Sequence, residues 1–369
     1  MNVPLVDLKR RYLSLKEEID KSIKNVIENT AFINGPDVKL LEKEFAEYCN
    51  ANYGIGCGNG TCAVHLALKA AGIKDGDEVI TVPNTFIATA EAISYLGAKI
   101  KFVDIDPETM LMDVNKVEET ITSKTKAILP VHLFGQMADM KPLLELAKKY
   151  NLKIIEDTAQ AHGAEYYGRK APFHEIATFS FFPAKIMGGF GDAGIVVTKN
   201  EDMANKIKLL VNHGRTKKYE HLMEGYNYRL DTIQAAVLRP MLNRLDGWVD
   251  KRRGIAKKYN ALLKDLPIET PVEKEYNKHA YYMYVIKTEN RDELKDFLKE
   301  KDISTGIHYP IPLHLQSAYK HLGLKKGDFP VAEECSKKIL SLPFFPEMTD
   351  EEINYVVENI KLFFASKSQ

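Results

Sequence analysis

Apolar and polar positions alternate between two rhythms along the first half of the chain. Helical spacing covers residues 12–29, and resumes over 37–48 after the Gly35-Pro36 break. Short runs rich in strand formers occupy 53–57, 78–82, 99–103, 126–130 and 153–156. Between them, 62–71, 86–96 and 140–150 return to helical spacing. Two further apolar runs, 177–182 and 194–198, bring the sheet to about seven strands. Strands alternating with helices predict a mostly parallel sheet covered on both faces. The expected fold class is α/β, with a smaller C-terminal α+β domain.

The pattern changes in the second half. One long helix is expected from Asp231 into Lys251-Arg252-Arg253. Tyr281-Tyr282-Met283-Tyr284-Val285-Ile286 alternates poorly but favours a strand. Helices are expected over 291–301 and 350–364, the latter with Thr349 as N-cap. The domain boundary is placed so that residues 1–245 form the large domain and 246–369 the small one.

Composition narrows the classes. The 369 residues suffice for two domains, and 45% hydrophobic with 28% charged content is that of a globular protein. A formal net charge of +0 gives no field to attract nucleic acid or an anionic membrane. The N-terminus has no signal-peptide pattern, and no apolar run approaches the roughly 20 residues of a membrane-spanning helix. Cys49, Cys57, Cys62 and Cys335 form no CxxC pair, which predicts reduced thiols in a cytoplasmic protein.

Candidate chemistry centres on Lys185. It ends Ser180-Phe181-Phe182-Pro183-Ala184-Lys185 and precedes the glycine-rich Gly188-Gly189-Phe190-Gly191-Asp192-Ala193-Gly194. Upstream, Ile154-Ile155-Glu156-Asp157 is an apolar strand ending in carboxylates. A lysine amine can form a Schiff base with an aldehyde cofactor, and a strand-end carboxylate can keep a pyridine nitrogen protonated. Alternation sends Glu156 to the opposite face from Asp157.

Each surrounding residue has a plain structural reading beside the functional one. Asn59-Gly60-Thr61 is either a phosphate site at a helix N-terminus or an ordinary turn capped by Thr61. Ser180 is a phosphate-binding hydroxyl or a polar strand residue. Phe86 stacks on a cofactor ring or belongs to the core. Gln160 and His162 face the cofactor or substrate, or are satisfied inside the fold. His308 and His314 lack the companion ligands a metal needs, so no metal site is expected.

Taken together, these motifs resemble the DegT/DnrJ/EryC1/StrS group of pyridoxal-phosphate sugar aminotransferases. The resemblance spans nearly the whole chain. It runs from Pro4-Leu5-Val6-Asp7-Leu8 through Asn59-Gly60-Thr61, Pro83-Asn84-Thr85-Phe86, Glu156-Asp157-Thr158-Ala159-Gln160-Ala161-His162-Gly163 and Ser180–Lys185. It continues in Gly225-Tyr226-Asn227-Tyr228-Arg229-Leu230-Asp231, Gly306-Ile307-His308-Tyr309-Pro310 and Leu340-Ser341-Leu342-Pro343. It implies a fold-type I aminotransferase acting as a homodimer with pyridoxal 5'-phosphate. Lys185 takes the Schiff-base role and Asp157 the pyridine-nitrogen role. Gly60, Thr61 and Ser180 are implied phosphate ligands, Phe86 the stacking aromatic and Gln160 the neighbour of the ring hydroxyl. Asn227 matches the asparagine that reaches the phosphate from the partner subunit. Lys218, Tyr219, His308 and Tyr309 are the candidate substrate contacts.

Two stretches depart from the family pattern. Gly191-Asp192-Ala193-Gly194 has Ala193 where glycine is usual, and Pro172-Phe173-His174-Glu175 lacks a usual Gly-Asp pair. The implied reaction moves an amino group from glutamate to a nucleotide-linked keto sugar, with carbon 3 expected from the 227–236 stretch. A 4-keto sugar or a keto cyclitol is the nearest alternative substrate. A sugar dehydratase on the same fold would carry histidine at the lysine position. A non-catalytic regulatory protein would not need the complete cofactor set.

Overall fold

The computed structural model describes residues 1–367. Its strands are β1 Tyr53–Cys57, β2 Glu78–Thr81, β3 Lys99–Phe102, β4 Thr125–Ile128, β5 Lys153–Ile154 and β6 Glu156–Asp157. They continue with β7 Glu165–Tyr166, β8 Arg169–Lys170, β9 Ile176–Ser180 and β10 Gly194–Thr198. Two four-stranded ladders, β3-β2-β4-β5 and β1-β10-β9-β6, meet because β5 and β6 are successive parts of one extended run. The Ile155 amide donates to Ile128 O, and the Asp157 amide donates to Pro130 O. One sheet of seven lanes results. Its ladders are parallel except along β10, which runs antiparallel to both β1 and β9.

Burial on both faces explains the near-continuous apolar runs. Adjacent strand residues divide between two separate cores, as a period of two requires. Ile80, Ile128, Ile154, Ala177 and Val197 enter one core with Phe45 and Phe179. Val79, Ala127, Ile155, Ile176 and Val196 enter the other, with Leu66 and Ile93. Helix Pro36–Tyr48 packs over β1, and helix Gly60–Ala70 packs over β9 and β10. The parallel strands β2, β4 and β6 therefore end together at one edge, where open α/β sheets bind ligands.

Small β-elements lie outside this sheet. The β7–β8 hairpin pairs with β13 Asn277–Lys278, and β11 Arg215–Lys217 pairs with β12 Glu220–His221. In the C-terminal part, β14 Tyr284–Lys287 pairs antiparallel with β15 Ile339–Leu342. A third core gathers Ile255, Tyr259, Leu294, Leu340 and Ile360 with Val3 from the chain's beginning. Thr349 and Glu352 close the last helix reciprocally. The Thr349 amide donates to the Glu352 carboxylate, and the Glu352 amide donates to Thr349 Oγ1.

Two expected helices are each divided. Residues 12–29 split into Leu8–Ser14 and Lys16–Glu28, because Leu15 leaves helical geometry at φ −126°. The helix expected from Asp231 splits into Thr232–Leu242 and Leu245–Leu263. Pro240 lacks the N–H that would tie its last turn together. No described helix is long and apolar enough to cross a membrane.

Candidate active site

A cavity of about 500 Å³ opens at the carboxyl edge of the sheet. Lys185, Asp157, Gln160, Ser180, Gly60, Thr61, Phe86, His308 and Tyr309 all line it. Residues scattered over 250 positions of sequence thus share one concavity.

One end is a cradle between β1, helix Gly60–Ala70 and β9. Asn59, not Thr61, caps the helix: its Oδ1 accepts the Cys62 amide at 2.8 Å. Thr61 is thereby released from the capping role and lines the cavity. A Cβ on Gly60 would lie 2.6 Å from Ser180 Cβ, so only glycine lets the helix start approach β9 this closely. Backbone amides at that start, with the Thr61 and Ser180 hydroxyls, suit an anion such as a phosphate. Ala193 is buried beside this turn without distorting the β9–β10 pairing.

Asp157 is buried at the end of β6. Its Oδ2 accepts the Thr89 hydroxyl at 2.8 Å, and its Oδ1 accepts the Ala159 amide at 3.1 Å. Thr89 lies 3.1 Å from Thr85 Oγ1, which braces the pair. Glu156 points the other way, as alternation requires. It accepts the amides of Phe173 and His174 and lies 3.1 Å from His132 Nε2. The unusual Pro172–Glu175 stretch is therefore anchored behind the sheet rather than in the cavity. Gln160 Oε1 accepts the Phe134 amide at 2.9 Å, which turns its Nε2 to donate to Tyr309 Oη at 3.2 Å.

Lys185 sits after a tight turn in which its amide donates to Phe182 O at 2.8 Å. Its Nζ lies 4.7 Å from the centroid of the Tyr282 ring. Burial pushes the amine down to about 8, and the Asp157 charge opposes that fall. His308, bonded through Nδ1 to Ser341 Oγ at 2.8 Å, is pushed down to about 4 by burial and then by the Lys185 charge. Burial raises the Tyr309 phenol. Phe86 is 55% exposed and faces Tyr309 at 5.9 Å between ring centroids, so it is a cavity wall and not a core residue.

Other residues lie elsewhere. His162 is fully buried among Phe45, Phe179 and Phe181, behind the cavity, and burial lowers its pKa to about 3. His314 pairs with Glu333 at 3.0 Å and His308 with Ser341, so the two histidines have separate partners. Asn227 is exposed in a stretch bridged to Asn212, outside this chain's cavity. Lys218 and Tyr219 form the tip of the β11–β12 hairpin, and Tyr219 is 84% exposed. The chain does not bring these three to Lys185. Thr89, Tyr282, Leu5 and Val6 join the site without having been assigned roles from sequence. No sequence signal marks Thr89, since its partner Asp157 lies 68 residues away.

The cavity suits pyridoxal phosphate on its own geometry. It offers a glycine-gated anion cradle at one end, a buried carboxylate in its wall and a desolvated amine. Comparison with known proteins agrees. The sequence profile described as the DegT/DnrJ/EryC1/StrS aminotransferase family matches residues 13–361. The chain is 47% identical over 368 residues to a Geobacillus stearothermophilus protein named pleiotropic regulatory protein, covering 99% of each. It is 40% identical over 361 residues to the dTDP-3-amino-3,4,6-trideoxy-alpha-D-glucose transaminase of Streptomyces venezuelae, covering 97% of this chain and 95% of that one. The crystal structure of S. venezuelae DesV in complex with a ketimine intermediate superposes with a TM-score of 0.97 at 40% identity, covering 98% of each chain. NtdA from Bacillus subtilis, solved with bound PMP, gives 0.91 at 32% identity, covering 99% of this chain and 85% of that one. The chain belongs to the DegT/DnrJ/EryC1/StrS aminotransferase family and is a pyridoxal-phosphate-dependent aminotransferase.

Proposed function

We propose that this enzyme moves an amino group from glutamate to carbon 3 of a nucleotide-linked keto sugar, in the cytoplasm, as a homodimer. The observation that carries the reading is the pair of Lys185 and Asp157 in one cavity, beside a cradle that only glycine permits. Substrate class comes from relatives. Besides the S. venezuelae protein, one from Acidithiobacillus ferrooxidans is named UDP-N-acetyl-3-dehydro-alpha-D-glucosamine 3-aminotransferase. One from Aneurinibacillus thermoaerophilus is named dTDP-3-amino-3,6-dideoxy-alpha-D-galactopyranose transaminase.

Lys185 is the amine that would hold the cofactor, and Gly60, Thr61 and Ser180 would hold its phosphate. Asp157 would hold the ring nitrogen protonated, with Phe86 against the ring and Gln160 beside the ring hydroxyl. When bound, pyridoxal phosphate supplies an aldehyde that takes up an amino group and a ring that delocalises negative charge. Lys185 Nζ, once free, would carry a proton between the substrate carbon and the cofactor's former aldehyde carbon, as base and then as acid. A base that titrates near neutrality suits both directions. Thr89 and the Ala159 amide each donate to one oxygen of Asp157 and fix the orientation of its carboxyl group.

Asn227, Lys218 and Tyr219 are proposed to act on the partner's cavity, which their exposed position outside this chain's own cavity favours. His308 and Tyr309 are proposed to contact the sugar from within the chain. The large cofactor-binding domain is proposed to end at residue 245, where helix Leu245–Leu263 begins and carries Ile255, Tyr259 and Leu263 into the third core.

The relative named pleiotropic regulatory protein gives a second reading, a regulatory role beside transamination. The complete lysine, carboxylate and cradle set supports transamination in both readings. Incubation with glutamate and a panel of 3-keto and 4-keto nucleotide sugars and keto cyclitols tests the proposal, with NMR assigning the aminated carbon. Amination at carbon 3 is expected. No amination of any acceptor, or amination at carbon 4, would overturn it.

A further inference from the structure

Arg11 is a buried cation that the proposed reaction does not use. It lies on helix Leu8–Ser14, far from Lys185 in sequence, and is 2% exposed. One of its terminal nitrogens donates to Pro183 O at 3.2 Å and to Lys185 O at 2.8 Å. Its Nε and remaining terminal nitrogen have no hydrogen-bond partner, and the guanidinium stands 5.5 Å from the centroid of Trp248. Burying a guanidinium with donors unmade is costly. What it gains is a hold on the two carbonyls that bracket the lysine's turn. That turn has little slack, since a Cβ on Gly188 would lie 2.2 Å from Pro183 O.

The segment carrying Arg11 is itself pinned at the other side of the cavity. The Val3 amide donates to Asp302 O and the Ser304 amide to Val3 O. The Phe344 amide donates to Leu5 O, and Arg10 makes a two-pronged contact with Glu352 at 2.9 and 2.7 Å. Leu5 and Val6 line the cavity between these anchors. Residues 3–11 thus run from the C-terminal core, along the cavity wall, to the backbone of Lys185.

We propose that Arg11 is a positioning residue, which aims the Lys185 amine into the cavity by holding the carbonyls of Pro183 and Lys185. The inference rests on Lys185 being the functional amine, but its test reads the amine directly. Asp157, His162, His308, Tyr282 and Tyr309 are the titratable groups around that amine, and none is altered.

Cofactor-free wild type, Arg11→Met and Arg11→Lys would be labelled with an amine reagent across neutral to alkaline pH, with the Lys185 peptide quantified by mass spectrometry. Wild type should titrate near 8. Arg11→Met should move the midpoint toward the ordinary 10.5, as the loosened turn lets the amine reach water. Arg11→Lys keeps the charge on a shorter stem that cannot serve both carbonyls, and should move it less. In the same variants, the rate at which added pyridoxal phosphate becomes fixed by borohydride should fall about 10–100-fold, the scale of a misplaced reacting group. An unmoved Lys185 midpoint and a wild-type fixation rate in whichever variants fold would overturn the proposal; if only Arg11→Lys folds, its midpoint and fixation rate decide. Failure of wild type to fix the cofactor at all would instead refute the assignment of Lys185, whatever the midpoints show.

Discussion

The Thr89 hydroxyl donates to Asp157 Oδ2 at 2.8 Å, joining two elements 68 residues apart at the floor of the cavity. The bond fixes one oxygen of the carboxylate, and the Ala159 amide fixes the other. Asp157→Asn keeps the shape but removes the charge that would protonate a ring nitrogen. We expect it to lower kcat about 10²–10³-fold, the scale of losing one preorganised charge. Thr89→Val removes the bond to Asp157, worth about 1 kcal/mol, together with the contact to Thr85 Oγ1, and should cost about fivefold or somewhat more. Steady-state kinetics of both variants check the order; equal losses would show that charge is not what matters at Asp157.

Gly60 gives a sharper contrast. At an exposed first helical position, alanine ordinarily stabilises a helix by up to about 1 kcal/mol over glycine. Here the added Cβ would meet Ser180 Cβ at 2.6 Å and fill the cradle. Gly60→Ala should therefore weaken pyridoxal phosphate binding at least about tenfold, or about 1.4 kcal/mol. Ser180→Ala should weaken it less. Equilibrium titration of cofactor into apoprotein measures both.

The lowered amine of Lys185 has a consequence for stability. Its folded pKa of about 8 lies below the unfolded 10.5. Between those values the unfolded chain binds more protons, so stability rises with pH through that window and the full penalty applies below 8. Cofactor-free Lys185→Met should then be more stable than wild type at pH 7, by about 1–2 kcal/mol after allowing for partial solvation. The gap should close as pH rises past the window. Denaturant melts at three pH values check this; a gap that widens with pH would contradict the burial of the amine.

How much of this was legible in sequence follows from what each signal encodes. Strands buried on both faces read as apolar runs, so 53–57 and 194–198 match β1 and β10 residue for residue. Helix 140–150 likewise coincides with Met140–Tyr150, whose one-sided stripe has a period of its own. The break at Leu15 was not legible, because a leucine carries no punctuation that spacing detects; the break after Leu242 had a signal in Pro240, which apolar spacing alone does not register. The β15 strand carries no local sign of its pairing, since its partner β14 lies over fifty residues away. The site's chemistry was legible where a residue type is itself unusual, as with Lys185 in a glycine-rich loop. It was not legible for Arg11 or Thr89, whose roles depend on contacts across the fold. The cap at Asn59 was misplaced by two residues, because Asn59 and Thr61 are both good caps and only geometry chooses.

The proposed trans role of Asn227 predicts complementation. Lys185→Met and Asn227→Ala subunits should each be nearly inactive alone. Mixed at equal amounts and allowed to exchange, half the dimers are hybrids, and each hybrid has one intact composite site. About a quarter of wild-type activity should return, as two-fold symmetry requires. Activity that stays at the level of the separate variants would place Asn227 outside the partner's site.

The central claim is that the Lys185 side chain carries the cofactor. Loading the protein with pyridoxal phosphate, reducing with borohydride and mapping the modified peptide by mass spectrometry tests it in one step. A phosphopyridoxyl group on the Lys185 peptide, absent from Lys185→Met, is the predicted result. Modification of a different lysine, or equal labelling in Lys185→Met, would contradict it.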